Sequence, residues 1–218
     1  MKPNKFFITS FILNLLVFLL VVSGTIVMFT VGSGVLGNKG LTVFKYFTFQ
    51  SNIFVGAVAF VYAYYQLLIM RGKKTEIPHV LKVFNHVAVT AVGVTFLVVI
   101  AFLAPGYGFD KMYNKANLFF HALVPITAMV NYLFYEKETG FAYKWTAFCL
   151  IPCILYGLVY LIVVVSLNAY GNLDIDFYGF GKNGLAIGIL NYFIVVSISY
   201  AIGIFLYFIN RVVFKKRK

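Results

Sequence analysis

Long uninterrupted runs of apolar residues, separated by short polar or glycine-rich segments, make up most of the chain. Six runs can be delimited, at about 6–29, 47–70, 84–103, 118–134, 145–167 and 185–209. Each is close to the roughly 20 residues that an α-helix needs to cross the hydrocarbon core of a bilayer. Membrane β-strands would instead alternate over segments of about ten residues. The pattern therefore predicts an all-α, polytopic membrane helix bundle with about six transmembrane helices, in a single domain over residues 1–218.

Composition agrees with this interpretation. Of the 218 residues, 62% are hydrophobic and 11% are charged, whereas a soluble domain is about half apolar and a quarter charged. The net charge of +12 is high enough to suggest nucleic-acid binding, but Lys and Arg lie in the short gaps between apolar runs. That placement is typical of topology signals and of contacts with anionic headgroups. We expect membrane lipids as partners, with anionic headgroups at the basic cytoplasmic tail, and no nucleic acid.

The distribution of basic residues predicts the orientation in the membrane. With six spans, both termini and the second and fourth loops share one side, and they carry thirteen of the 18 Lys and Arg residues. The other side carries five. Because cytoplasmic segments are enriched in Lys and Arg, we expect a multi-pass protein of the plasma (cell) membrane with cytoplasmic N- and C-termini.

Polar residues occur at two places that share one depth in the predicted bundle. Thr48, Ser51 and Asn52 open the second span at spacings of three and four, so they lie on one helix face. His121 lies near the start of the fourth span, which enters the membrane from the same outer side. Pro125 lacks the N–H that would bond to the carbonyl of residue 121, and a kink is expected there. We therefore expect Thr48 and His121 to line one cavity.

A hydroxyl and an imidazole at one depth are candidates for a nucleophile–base pair, with Thr48 and His121 as the catalytic residues. Threonine needs a base to remove its proton, and neutral imidazole suits that role near neutral pH. Ser51, one turn away, is a rival nucleophile. The structural alternative is that these side chains cap helices and form interhelical hydrogen bonds.

Several acids and amides on the outer side of the predicted bundle could support this pair. The acids that could orient His121, or act only as surface charges, are Asp110, Asp174 and Asp176. The amides that could donate to an oxyanion are Gln50, Asn52 and Asn191. Cys149 and Cys153 are expected to be buried small apolar residues, and neither a metal site nor a cofactor is predicted. Asn14 and Asn131 are expected to form interhelical hydrogen bonds.

Residues 45–49, with the sequence KYFTF, resemble the family of the androgen-induced membrane protein and the androgen-dependent TFPI-regulating protein, and related bacterial six-pass membrane proteins. In that family a threonine opens the second helix, and a histidine opens a later helix shortly before a proline. The resemblance implies a six-pass threonine hydrolase that cleaves fatty acid esters of hydroxy fatty acids. It also implies that Thr48 is the nucleophile and His121 its partner.

Three functions therefore stay open at this point. The first is an intramembrane hydrolase of lipid esters that uses a Thr nucleophile and a His base. The second is a non-enzymatic membrane protein that binds or transports a lipid or a small amphiphile. The third is a bundle whose partner is another membrane protein. The arrangement of Thr48 and His121 favours the first, whereas the missing third catalytic group favours the others.

Overall fold

A computed structural model describes residues 4–33, 39–137, 141–172 and 174–215. The prediction of an all-α bundle with six helices long and apolar enough to span a membrane is confirmed over these residues. The helices are α1 (Lys5–Thr30), α2 (Phe47–Met70), α3 (His79–Tyr107), α4 (Ala116–Phe134), α5 (Tyr143–Ser166) and α6 (Leu185–Lys215). The chain is thus an integral multi-pass membrane protein. Of the predicted basic tail, Lys216, Arg217 and Lys218 lie outside the described residues.

Helix boundaries differ most from the prediction in α3 and α6. The third helix begins at His79, just after Pro78, and continues to Tyr107, beyond the predicted 84–103. The sixth continues to Lys215, six residues past the predicted end. Both extensions carry polar or basic residues. A hydropathy pattern delimits only the apolar part of a helix, whereas the hydrogen-bonded helix continues beyond it.

The third helix forms the centre of the bundle. In its most apolar stretch, 61% of the residues are buried, against 22% in both α5 and α6. Its middle is built from small residues such as Ala88, Ala91 and Gly93. Small side chains let neighbouring helices approach closely, which is how membrane helices gain packing contacts without a hydrophobic driving force. The exposed apolar surfaces of α5 and α6 suit contact with lipid.

Two π turns interrupt the α-helical register, one in α3 (Val99–Leu103) and one in α4 (Phe119–Leu123). Each is followed closely by a proline, Pro105 or Pro125. In α4 the N–H of Val124 bonds to the carbonyl of Phe119, five residues earlier. The next N–H in this register would belong to Pro125, which has none. In this register the carbonyl of Phe120 is therefore left without a helical donor.

The two ends of the bundle differ in their polar chemistry. One end, here called the cavity end, holds Thr48, His121 and the loop before α6. The opposite end, here called the Glu136 end, holds a buried glutamate just after α4 together with Ser10 and Asn210, near the first and last described residues. Glu136 is 3% exposed. It follows the last residue of α4 by two positions, and hydropathy alone does not indicate that it is buried.

Candidate active site

Two cavities lie side by side at the cavity end. The smaller has a volume of about 110 Å³, and its wall includes both Thr48 and His121. The larger has a volume of about 300 Å³ and lies between α2, α3, α5 and α6. Thr48, Leu103 and Tyr178 line both cavities. Thr48 therefore lies where the smaller cavity, which His121 also lines, meets the larger and mainly apolar cavity.

Thr48 is the second residue of α2, where the helix dipole gives a partial positive charge. The preceding N–H, that of Phe47, donates to the phenol oxygen of Tyr178 at 3.0 Å. This bond satisfies one of the free donors at the start of the helix and holds the Tyr178 ring beside Thr48. Burial raises the pKa of Tyr178 to about 12, so its phenol stays neutral at physiological pH. The helix start and the loop before α6 are thereby fixed to each other.

His121 lies in the π turn of α4 and is 7% exposed. Its Nδ1 lies 2.7 Å from the carbonyl oxygen of Met112. Because a carbonyl only accepts, the neutral ring carries its proton on Nδ1, and Nε2 keeps its lone pair. The ring of Tyr113 contacts the imidazole edge-on, with centroids 6.4 Å apart. His121 is therefore oriented as a base would be, by a backbone carbonyl instead of a carboxylate.

Two contacts between α2 and α4 flank the pair. The rings of Phe49 and Phe120 meet edge to face, with centroids 5.5 Å apart. The amide of Asn52 donates to the carbonyl of Phe120 at 3.1 Å, which satisfies the acceptor that Pro125 leaves free. These contacts fix the residues next to Thr48 and His121 against each other. No direct hydrogen bond joins the Thr48 hydroxyl to the His121 ring among the contacts described.

The supporting residues on α2 form hydrogen bonds within the helix and to its neighbours. Ser51 contacts the carbonyl of Thr48 at 3.1 Å and the hydroxyl of Thr95 at 3.0 Å, and it lines neither cavity. Asn52 also donates to the Thr48 carbonyl, at 2.7 Å, so its amide nitrogen is already committed to two acceptors. Gln50 donates to the carbonyl of Phe44 at 2.7 Å and is exposed. The Asn52 amide therefore has no N–H left for an oxyanion, and Gln50 lines neither cavity.

The outer acids do not contact His121. Asp176 is fully buried, so the surface interpretation of this residue is wrong. Its carboxylate accepts from the N–H groups of Gly171 and Gly181, each at 2.9 Å, and from the phenol of Tyr160. Asp174 is exposed, and its carbonyl accepts from Lys45 at 3.2 Å. The Asp176 carboxylate therefore organises the loop that carries Tyr178 to the cavities.

Asn191 is the predicted supporting residue that shares a cavity wall with Thr48. It is half-buried on α6 and lines the larger cavity, as do Thr95 and Tyr192. Its amide is accordingly the best placed of the three predicted donors to meet a ligand beside Thr48. Cys149 and Cys153 are buried and free. No group of three His, Cys, Asp or Glu side chains that could hold a metal ion occurs in the part of the chain described.

Sequence reasoning missed the Met112 carbonyl, Tyr178 and the π turns. The Met112 carbonyl carried no signal, because any residue can offer one. Tyr178 was not considered for the site, although a run of Tyr, Phe and Gly beside an acid is compatible with a packed loop. The π turns had a visible signal, since Pro105 and Pro125 each follow an apolar run in a spanning helix.

No protein-family model, curated protein or solved structure matches the chain.

Proposed function

We propose that this protein is an intramembrane hydrolase of lipid esters, with Thr48 as the nucleophile and His121 as the general base. The observation that carries the proposal is that both side chains line one cavity, with the His121 proton held on Nδ1. Nε2 can then accept a proton from a hydroxyl, which is what an unreactive threonine requires. The similarity of residues 45–49 to the six-pass threonine hydrolases supports the same assignment.

In the proposed reaction, Nε2 of His121 removes the proton from the Thr48 hydroxyl as its oxygen attacks the ester carbonyl. The protonated imidazole then gives that proton to the leaving alkoxide, and an acyl-threonine forms. Water attacks this ester with His121 again as the base, which releases the fatty acid and regenerates Thr48. The partial positive charge at the start of α2 stabilises the developing oxyanion, and Asn191 is the proposed side-chain donor.

The two cavities suit the two parts of such a substrate. The larger, at about 300 Å³ and mainly apolar, is at the lower limit of ligand-pocket volumes and would take an acyl chain. The smaller, at about 110 Å³, would take the ester group beside His121. Thr48 at their junction would meet the carbonyl carbon. Direct contact of the two catalytic side chains would form on substrate binding, since catalytic hydrogen bonds are often long in free enzymes.

The orientation and the membrane belong to this proposal. We infer a plasma membrane protein with both termini in the cytoplasm, so that the cavity end opens toward the outer leaflet. Thirteen Lys and Arg residues on one side against five on the other support this orientation. Membrane-impermeant labelling of single cysteines introduced after Lys218 and at Gly106 tests it. The Gly106 variant should label from outside intact cells, and labelling of the C-terminus instead would reverse the orientation.

The second candidate is non-enzymatic binding or transport of a lipid or small amphiphile. One observation favours it, namely that no carboxylate contacts His121 and no hydrogen bond links it to Thr48 among the described residues. In that case the same side chains would bind a polar headgroup while the larger cavity held the chain.

Hydrolysis of a long-chain ester by the purified protein, together with labelling by a serine-reactive fluorophosphonate, separates the two. We expect wild type to react and Thr48→Ala not to, while Thr48→Ser retains part of the activity. Ser51→Ala is the matched control, because it removes a hydroxyl one turn away that faces neither cavity. Full activity in folded Thr48→Ala would refute the threonine mechanism. An unreactive wild type that still binds the ester would favour the second candidate.

A further inference from the structure

At the Glu136 end, the carboxylate of Glu136 accepts hydrogen bonds from several helices. Its Oε1 accepts from Asn14 at 2.7 Å, from Asn131 at 2.8 Å and from Ser10 at 3.4 Å. Its Oε2 accepts from Asn85. All four donors are neutral side chains, and they come from α1, α3 and α4. An acid in an apolar bundle is thus surrounded by amides and a hydroxyl.

A second layer extends this cluster to two more helices. Gln66 of α2 accepts from Asn14 at 3.1 Å and donates to Ser10 at 2.9 Å. Asn210 of α6 donates to the backbone carbonyls of Tyr132 at 2.6 Å and Glu136 at 2.7 Å. Five of the six helices therefore contact Glu136 directly or through one side chain. A change at this carboxylate acts on the packing of nearly the whole bundle.

Hydrogen bonds from neutral groups offset only part of the desolvation of a buried charge. Burial raises the pKa of Glu136 from 4.5 to about 7, while the bonds from Asn14, Asn85, Ser10 and Asn131 lower it. Near this end of the bundle, the surrounding elements carry other charged or titratable side chains, which include Lys5 on α1, Tyr62, Tyr64 and Tyr65 on α2, His79, Lys82 and His86 on α3, Tyr132 and Tyr135 at the end of α4, the adjacent Lys137, and Tyr207, Arg211 and Lys215 on α6. His86 bonds to the Tyr132 phenol, and Arg211 donates to the Phe141 carbonyl.

The cluster also contains an acceptor without a donor. Asn131 is 2% exposed, and its Oδ1 accepts no hydrogen bond within the described part of the chain. The same amide already donates to Glu136 Oε1. A carboxylate can only accept, whereas a protonated carboxyl group gains one O–H donor. A proton on Glu136 would therefore supply the donor that this amide oxygen lacks, after a rotation of the amide.

We propose that Glu136 is a proton-binding site that sets how tightly the Glu136 end of the bundle is held. A hydronium ion of the solvent transfers one proton to the carboxylate, so that one O–H bond forms on Glu136 as one breaks in the hydronium ion and a water molecule is left. Burial of the carboxyl group without a cationic partner favours the neutral acid over the anion, and the anion loosens this end of the bundle. The inference is independent of the chemistry proposed at the cavity end, because none of these residues lines either cavity.

Thermal stability of the full chain in detergent micelles, measured between about pH 4.5 and pH 8, tests the proposal. A pKa raised on folding makes the folded state the stronger proton binder, so stability is greatest near pH 4.5 and is lost as pH rises through about 7. We expect the midpoint temperature of wild type to fall by roughly 5 °C or more over this range. Glu136→Gln, a neutral isostere of the acid, should remove that pH dependence.

Matched controls assign the transition to one residue. Glu76→Gln changes an exposed glutamate and should keep the wild-type pH dependence. Lys82→Gln and His86→Phe should also keep the pH dependence of stability. If this pH dependence were lost in either of these variants and kept in Glu136→Gln, the proposal would be overturned. Infrared difference spectra give a readout independent of stability, because a protonated carboxyl band should appear in wild type below about pH 7 and be absent in Glu136→Gln. Identical spectra for the two proteins would also overturn it.

Discussion

The cavity end and the Glu136 end use the same kinds of polar residue in opposite ways. At the Glu136 end, Ser, Asn, Gln and Glu side chains bond to one another and line neither cavity. At the cavity end, Thr48, His121 and Asn191 line open space, and His121 bonds to a backbone carbonyl. A polar group inside a membrane protein is either satisfied by its neighbours or available to a ligand. The first cluster is thus satisfied within the bundle, whereas the second is open to a ligand.

Loss of the base gives the largest expected effect and separates the two ends most sharply. His121→Ala should lower ester hydrolysis by roughly 10²- to 10⁴-fold, the usual contribution of a general base. Stability should change little, since one hydrogen bond in a membrane bundle contributes about 0.6 kcal/mol on average. Paired measurements of turnover and thermal midpoint check this prediction. If His121→Ala lowered the thermal midpoint but left the turnover per folded molecule unchanged, the role of His121 would be in packing.

Glu136→Ala should show the reverse pattern. Removing the carboxylate leaves four buried donors without their acceptor, and we expect a loss of about 3 kcal/mol or more in the free energy of unfolding. The exposed Glu76→Ala should stay within about 0.5 kcal/mol of wild type. Unfolding in mixed micelles by a denaturing detergent measures both. Wild-type stability in Glu136→Ala would contradict the division between the two ends.

Gly157→Ala tests the wall of the larger cavity. A Cβ at this position would lie 2.4 Å from a ring carbon of Tyr192, so the ring would have to move. Overpacking of this kind destabilises by about 1–3 kcal/mol. Both residues line the larger cavity, and the variant should change the preferred acyl chain length. Gly106→Ala is the matched control, because nothing lies within 4 Å of its added Cβ. Unchanged chain-length preference in folded Gly157→Ala would place the acyl chain elsewhere.

The smallest effect is expected at Asn52, where a structural contact supports the site. Asn52→Ala removes the donor to the Phe120 carbonyl, and we expect a loss of about 0.6–1.7 kcal/mol in stability. Hydrolysis should also fall, by less than in His121→Ala, because the backbone next to the base is no longer fixed. Ser51→Ala, one residue away, should lower activity less than Asn52→Ala does. Equal losses in the two variants would indicate a general effect on α2.

Hydropathy was sufficient to find the six helices because each apolar run matches the thickness of a bilayer. It could not find the helix ends at His79 and Lys215, where the helix continues through polar residues. The shared cavity of Thr48 and His121 follows from topology, since alternate spans enter from the same side. The orienting Met112 carbonyl and the buried Glu136 depend on how loops fold back onto the bundle, and a linear pattern of apolar residues carries no information about that.

The π turn in α4 sets the direction in which His121 points. It fits one extra residue into a helical turn, and one residue corresponds to about 100° of rotation about the axis of an α-helix. The segment before the turn is therefore out of phase with the rest of α4. Deleting a single residue from Phe119–Leu123 would restore the regular phase and turn the residues before the deletion away from their present partners. For this protein, the length of one helical turn is as important to the site as the identity of the histidine.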